Sequence, residues 1–255
     1  MKIASWNVNS VNVRLAHVLD WLAQNEPDIL ALQETKTPDP EFPLAALAEA
    51  GYRAAIAGQK GYNGVALVTR AEAEEVVRDI PALDSPERRI LGATIGGVRV
   101  LNLYVVNGQE VGSEKYAYKL DWLARVTEHV ARELAAYPRL VVLGDFNIAP
   151  EDRDVHDPEA WHERVLCSTP EREAFRRMLN LGLVDTFRLF DQPERTFSWW
   201  DYRAVAFRRN LGLRIDLILA SHLLAEHCTA CTIDPAPRKL DRPSDHAPVV
   251  ATFDL

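Results

Sequence analysis

Ile90-Leu91-Gly92-Ala93-Thr94-Ile95-Gly96-Gly97-Val98-Arg99-Val100-Leu101-Asn102-Leu103-Tyr104-Val105 decides the fold. Two β-branched-rich runs, Ile90–Ile95 and Val98–Val105, flank a Gly-Gly pair that supplies the positive φ angles of a tight hairpin turn. A hairpin pairs its strands antiparallel, so this stretch excludes a regular repeat of parallel βα units. Outward from it, Lys2–Val8, Asp28–Gln33, Gly64–Arg70, Arg139–Leu143, Leu213–Ala220 and Pro248–Phe253 also read as strands. Val13–Gln24, Glu114–Ala136 and Pro170–Leu181 read as helices, the second with Tyr116, Leu120, Leu123 and Val126 on one stripe. Strands outnumber helices, which fits an α/β chain of two packed, largely antiparallel sheets flanked by helices. No repeat and no Gly/Ser- or Pro-rich linker divides residues 1–255, so a single domain is expected.

The composition narrows the class. The 255 residues are 47% hydrophobic and 26% charged, and a core of this size needs neither disulfides nor a structural metal. That excludes disorder, a collagen-like repeat and a disulfide scaffold. The start has no long apolar run or small-residue cleavage site, and no stretch reaches membrane-span length. Cys167, Cys228 and Cys231 are an odd set that points to a reducing, cytoplasmic setting. Cys228 and Cys231 are spaced C-x-x-C but have no second pair or histidines to complete a zinc site, so they read as small strand residues. The net charge of −8 argues at first sight against a polyanionic partner.

Polar residues interrupt the apolar runs at particular places. Asn7 and Asn9 share a face by alternation at the end of the first strand. Leu30-Ala31-Leu32-Gln33-Glu34 ends on an amide and an acid. Leu140-Val141-Val142-Leu143-Gly144-Asp145-Phe146-Asn147 does the same, with Gly144 giving backbone room and Asp145 and Asn147 on one side of an extended segment. Asp216 sits inside an apolar strand, and Ser244-Asp245-His246 precedes the last one. Each position has an ordinary explanation: a turn former, a cap, or for Asp216 a pair with Arg214. Together they are five strand ends offering oxygen donors and one histidine. Burying such carboxylates costs several kcal/mol unless a partner or a metal neutralises them. Hard oxygen donors such as Asn7, Glu34 and Asp245 suit magnesium or manganese.

Trp6-Asn7, Leu32-Gln33-Glu34-Thr35-Lys36, Gly144-Asp145-Phe146-Asn147, Gly212-Leu213-Arg214-Ile215-Asp216 and Ser244-Asp245-His246 resemble the motifs of the exonuclease III family of apurinic/apyrimidinic endonucleases. Gly58–Ala66 and Phe197–Arg203 are similar to its bacterial-type branch. The resemblance covers essentially the whole chain. It implies a four-layered α/β sandwich and a magnesium-dependent nuclease, with manganese as a possible substitute. Such an enzyme cuts duplex DNA 5′ to abasic sites and can act as a 3′→5′ exonuclease and 3′-phosphodiesterase. It further implies that Glu34 is the principal metal ligand, with Asn7 beside it and Asp245 at a second position. Asp145, Asn147 and His246 border the same metal. Asn9 stands where some relatives carry Asp. Asp145 would orient or deprotonate the attacking water, Asn107 and Asn147 would hold the phosphate, and Tyr104 would assist. His246 would stabilise the transition state with Asp216 fixing its ring. Phe197, Trp199 and Leu213 would line the pocket for a flipped abasic sugar, and Arg203 would contact phosphate. Two departures are visible: Val106 replaces the family's usual Pro, and Gln109 stands where some relatives have Arg.

Two other classes compete: a phosphoesterase of the same sandwich acting on inositol phosphates or phospholipids, and a non-catalytic DNA-binding module. The Phe197–Arg203 segment favours DNA, and the full set of polar residues favours catalysis. The charge also proves uneven. Glu151–Glu163 carries six acids and one Arg, whereas Tyr52–Arg70 and Arg188–Ile215 are each net +3. A monomer with salt-sensitive binding to duplex DNA is expected.

Overall fold

The computed structural model describes residues 1–80, 83 and 85–255. One six-stranded sheet contains β1 (Lys2–Asn7), β2 (Ile29–Gln33), β3 (Arg53–Ala57), β4 (Val65–Thr69), β11 (Cys228–Ile233) and β12 (Val249–Phe253). Its spatial order is β11-β12-β1-β2-β4-β3. The other contains β5 (Glu74–Val77), β6 (Ile90–Ile95), β7 (Val98–Tyr104), β8 (Leu140–Asp145), β9 (Leu183–Asp185) and β10 (Asp216–Ser221), in the order β5-β6-β7-β8-β10-β9. The glycine hairpin forms as read, Ile95 opposite Val98. Among the described residues, only β1–β2 and β7–β8 pair in parallel.

β2, β4 and β8 are buried along their whole length because both faces are covered. Between the sheets, Ile3, Ile29 and Leu67 pack with Val100, Val141, Leu143 and Ile218. Helix α1 (Val11–Asn25) lays Val18, Trp21 and Leu22 on the outer face of the first sheet against Trp6, Leu30 and Leu32. Short α2 (Leu44–Glu49) adds Leu47 there. Helices α3 (Glu114–Ala136) and α5 (Thr169–Leu179) cover the second sheet with Trp122, Leu123, Val126, Phe175 and Met178. The result is the four-layered α/β sandwich. The short helices α4 (Pro158–Trp161) and α6 (His222–Ala225) lie in the connections.

A polar clamp crosses the apolar interior and sets the relative depth of the sheets. Gln33 Nε2 donates to Ser5 Oγ at 3.0 Å and to Asn102 Oδ1 at 2.8 Å. Asn102 Nδ2 in turn donates to the carbonyls of Leu32 and Ala66, each at 2.9 Å. Buried amides need such partners, and these bonds tie the two sheets together, although Gln33 Oε1 itself has no hydrogen-bond partner.

Several expectations change in detail. The strand expected over Leu213–Ala220 begins at Asp216, and Leu213 instead makes isolated bridges with Val155 and Trp199. On α3, Leu120 is only partly buried, while Lys119 joins Tyr116, Trp122 and Leu123 on the inner face. Cys228 and Cys231 lie on β11 as free thiols. Among the described residues no helix is long and apolar enough to cross a membrane.

Candidate active site

Strand register gathers the polar residues. Tyr104, Asp145 and Asp216 are direct neighbours across β7, β8 and β10. Asn7 ends β1 opposite Gln33, and Glu34 follows Gln33. The chain then leaves the ladder through left-handed residues: Asn9 at φ 45°, Glu34 at 51° and Asn147 at 48°. Asn9 and Asn147 are therefore not extended continuations of their strands. Each is turned back instead: the Asn9 amide donates to Asn7 Oδ1 at 3.0 Å, and the Asn147 amide to Asp145 Oδ1 at 2.9 Å. Such turns are what short Asx side chains favour. Gly144 is required on space alone, since a Cβ there would sit 1.9 Å from the Leu103 carbonyl oxygen.

Asn7 joins the two sheets at the centre of the site. Its Nδ2 donates to Glu34 Oε1 and to Asp145 Oδ2, both at 2.9 Å. Glu34 Oε2 lies 2.8 Å from Lys36 Nζ, which also donates to Asn9 Oδ1 at 2.6 Å. His246 faces the pair from the other side: its Nδ1 contacts Asp216 Oδ2 at 2.8 Å and its Nε2 is 3.8 Å from Asp145 Oδ2. Ser198 Oγ donates to Asp216 at 2.6 Å while accepting from the amides of Ile215 and Asp216. Asp216 thus holds His246, and Arg214 pairs elsewhere, with Asp154 and Asp185. Asp245 accepts from Asn9 Nδ2 and from Trp199 Nε1, each at 3.0 Å. Asn107 Nδ2 donates to Asn147 Oδ1 at 3.1 Å, and Asn147 Nδ2 to the Val105 carbonyl at 3.0 Å.

Burial and like charge shape the proton affinities. Burial pushes Asp145 up to about 7, with His246 pulling it down and the Asp216 charge adding to the rise. Burial opposes a charged His246, yet Asp216 and Asp145 together hold it up at about 10. Glu34 and Asp245 are also penalised by burial, but Lys36 and Asn7 for the first, and His246, Asn9 and Trp199 for the second, keep both below the ordinary carboxylate range. Burial and the nearby Glu34 and Asp145 charges hold the Tyr104 phenol well above its usual value.

The donor set fits a divalent cation. Glu34, Asp145 and His246 each bring one ligand atom into a group within 4.8 Å. Four carboxylates, counting Asp216 and Asp245, converge here; Lys36 and His246 contact them directly, while Lys119 and Arg238 act on Asp145 and Asp245 from farther off. Acidic oxygens buried this close together favour a cation among them, and the raised proton affinity of Asp145 reflects the same crowding and burial.

The expected substrate residues divide. Trp199 stays partly exposed beside Asp245. Phe197 is 2% exposed and Leu213 0%, one packed with Trp200 and Ala206, the other with Ala149, Val155 and Ile215. They back the site rather than present a surface. Arg203 is exposed and forked onto Asp201 at 2.8 Å. The basic segments are also partly neutralised, Arg188 and Arg214 by Asp154 and Arg70 by Glu26. Lys60, Arg208 and Arg209 remain at the surface. Sequence reasoning assigned no role to Lys36 or Ser198. Their signal was position, two residues after Glu34 and within the Phe197–Arg203 motif.

Paired carboxylates bridged by an amide, with a carboxylate-held histidine at the joined ends of a two-sheet sandwich, define a phosphoester hydrolase of the four-layered α/β type. The chain belongs to the Endonuclease/Exonuclease/phosphatase family, whose profile matches residues 4–246. It is 34% identical to exodeoxyribonuclease III of Haemophilus influenzae, covering 99% of this chain and 100% of that protein. It is 30% identical to the DNA repair nuclease APEX1 of Danio rerio, covering 98% of this chain and 81% of that one. Among solved structures, the 3′-5′ exonuclease NExo from Neisseria meningitidis superposes with a TM-score of 0.98 at 50% identity, over 100% of both chains. An AP endonuclease from Archaeoglobus fulgidus gives 0.96 at 41%, again over 100% of both.

Proposed function

We propose that this chain is a metal-dependent DNA repair nuclease that hydrolyses the phosphodiester 5′ to abasic sites in duplex DNA and removes 3′-terminal nucleotides and blocking groups from the same site. Magnesium is the proposed ion, with manganese able to replace it, and a cytoplasmic monomer is the proposed working form. The observation that carries the reading is Asn7 Nδ2 held between Glu34 and Asp145, opposite the His246–Asp216 pair.

In this reading Glu34, Asp145 and Asn7 hold the cation, with Asp245 beside them. A bound divalent cation supplies charge neutralisation at the phosphate oxygens and at the leaving oxygen. The chain's own groups do the rest. Asp145, a carboxylate buried at the centre of the site, takes or orients the proton of the attacking water. Asn147 and Asn107, already hydrogen-bonded to each other, fix the phosphate in line with that water. His246 is kept as an imidazolium by Asp216 and presents Nε2 as a donor to the charge that develops. The Tyr104 phenol stays protonated and donates at the same place. Trp199 offers the exposed apolar edge against which an extruded sugar packs, with Phe197 and Leu213 stiffening it from behind.

The 3′ activities have their own support. The Neisseria NExo proteins, a 3′ phosphatase bound to product DNA hairpin and a 3′-5′ exonuclease, are each 50% identical to this chain. Similarity to an exodeoxyribonuclease, a DNA repair nuclease and an AP endonuclease also weighs against inositol phosphates or phospholipids as substrates. The test compares three duplexes in magnesium and in EDTA: one internal abasic analogue, one 3′-phosphate at a nick, and one recessed normal 3′ end. Magnesium-dependent cleavage of the first above an intact duplex supports the abasic assignment. Action on the second and third alone would restrict the enzyme to 3′ ends.

A further inference from the structure

Lys119 lies on α3, a helix the mechanism does not otherwise use, and its side chain is 0% exposed. All three of its ammonium protons have acceptors. Nζ donates to the Asn107 carbonyl at 3.0 Å, to the Asn147 carbonyl at 2.7 Å, and to the Glu171 carboxylate. Asn107 and Asn147 are therefore linked twice: side chain to side chain in the site, and backbone to backbone through one buried cation behind it. Both stand in loops that no strand ladder holds. Asn147 has φ 48°, and Gly108 and Gln109, which follow Asn107, have φ 93° and 62°. The Lys119 stem also packs on this turn, since a Cβ on Gly108 would lie 3.0 Å from Lys119 Cδ. Val106 leaves the turn without the proline that would stiffen it. Glu171, equally buried, anchors the far side by accepting from the amides of Leu166 and Ser168 at 3.0 and 3.1 Å.

We propose that Lys119 is a positioning residue for hydrolysis: it fixes the spacing of Asn107 and Asn147, and so the pose of the scissile phosphate, without touching substrate or metal. This rests on the phosphate-holding role proposed above for the two asparagines. An ordinary buried ion pair would affect stability alone, and replacing both partners of such a pair is often close to neutral. A positioning residue affects turnover even when stability is restored.

The experiment separates these with Lys119→Met, Glu171→Gln and the double variant, measured for Tm and for kcat and KM on the substrate the wild type cleaves best. Lys119→Met alone leaves a carboxylate buried without its counter-charge, and a lower Tm is expected. Adding Glu171→Gln removes the uncompensated charge and is expected to recover part of that Tm, the two carbonyls still lacking their donor, while kcat stays about 100-fold down, the cost of ångström-scale misplacement. KM for DNA and half-saturation by magnesium should stay within about threefold of wild type, by the same positioning argument. Glu171→Gln alone keeps both carbonyl contacts and should keep kcat within about threefold on that basis. Recovery of kcat together with Tm in the double variant would overturn the proposal, as would an equal kcat loss in Glu171→Gln alone. A wild-type protein that cleaves none of the three duplexes would instead overturn the nuclease reading, and this role with it.

Discussion

Asp216→Asn removes one charge from beneath the site and leaves the shape of the residue almost unchanged. In the wild type, Asp216 touches His246 Nδ1 with both oxygens, at 2.8 and 3.1 Å, and is itself fully buried. A carboxylate at that distance raises a histidine by about 1–3 pKa units, each worth about 1.4 kcal/mol. Burial acts the other way, so without the Asp216 charge His246 should fall from about 10 toward its ordinary value. With a fall of about two units, both proteins carry the imidazolium at pH 7, whereas at pH 9 only the wild type does. The ratio of wild-type to variant turnover should therefore widen about tenfold from pH 7 to pH 9, on top of a loss of about 10–100-fold from the weaker, less fixed donor. DNA affinity should change little, because Asp216 is fully buried behind His246. The assay is single-turnover cleavage across pH 6.5–9.5 with binding measured in parallel at pH 7. A ratio that stays flat with pH, or an affinity loss equal to the turnover loss, would refute the reasoning. The same raised pKa adds folding stability that is complete below pH 6.5 and lost as pH rises through about 10.

Glu34→Ala removes the carboxylate that Asn7 and Lys36 share, and should raise the magnesium concentration for half-maximal cleavage by about 10–100-fold or more, read from a metal titration; an unchanged titration would discount it as a ligand. Because burial raises Asp145 toward neutral pH, metal binding should release protons, more of them at pH 6 than at pH 8. Calorimetry in buffers of different ionisation enthalpy measures this, and buffer-independent heats at pH 6 would contradict it. Trp199→Ala strips the exposed indole and its bond to Asp245, and should erode preference for an abasic duplex more than cleavage of an intact 3′ end. Equal losses on both substrates would remove Trp199 from lesion selection.

How far the sequence carried depended on what each segment buries. The hairpin across Gly96-Gly97 and the fully covered strands β2, β4 and β8 announce themselves by unbroken apolar runs. β3 and β5 did not, because edge strands reading Arg-Ala-Ala-Ile-Ala and Glu-Glu-Val-Val offer few large apolar side chains to bury. β9 has three residues and α2, α4 and α6 four to six, too few to show a period. The site was legible where polarity broke an apolar strand, as at Asp145 and Asp216. It was illegible where a residue acts from outside the strands. Lys119 falls on the buried stripe between Tyr116 and Trp122, where a lysine reads as a solvent-facing residue until its acceptors are seen. Phe197 and Leu213 mislead in the opposite sense, since apolar character alone does not distinguish a pocket wall from the packing behind it.

The position of β1 has a consequence for how the protein is made. β1 pairs with β2 on one side and with β12 on the other, so a strand translated early waits for one translated much later. The interval between Glu34 and His246 leaving the ribosome is roughly 10–40 s at about 5–20 residues per second. Throughout it, β1 through β4 can associate while one edge of β1 stays open, its backbone groups unpaired and its flanking apolar faces exposed. Asn7 and Glu34 meet during that interval, but Asp245 and His246 arrive only as β12 docks. The final strand therefore closes the vulnerable edge and completes the hydrolytic centre in one event, so a truncated or stalled chain is both sticky and unable to cut DNA.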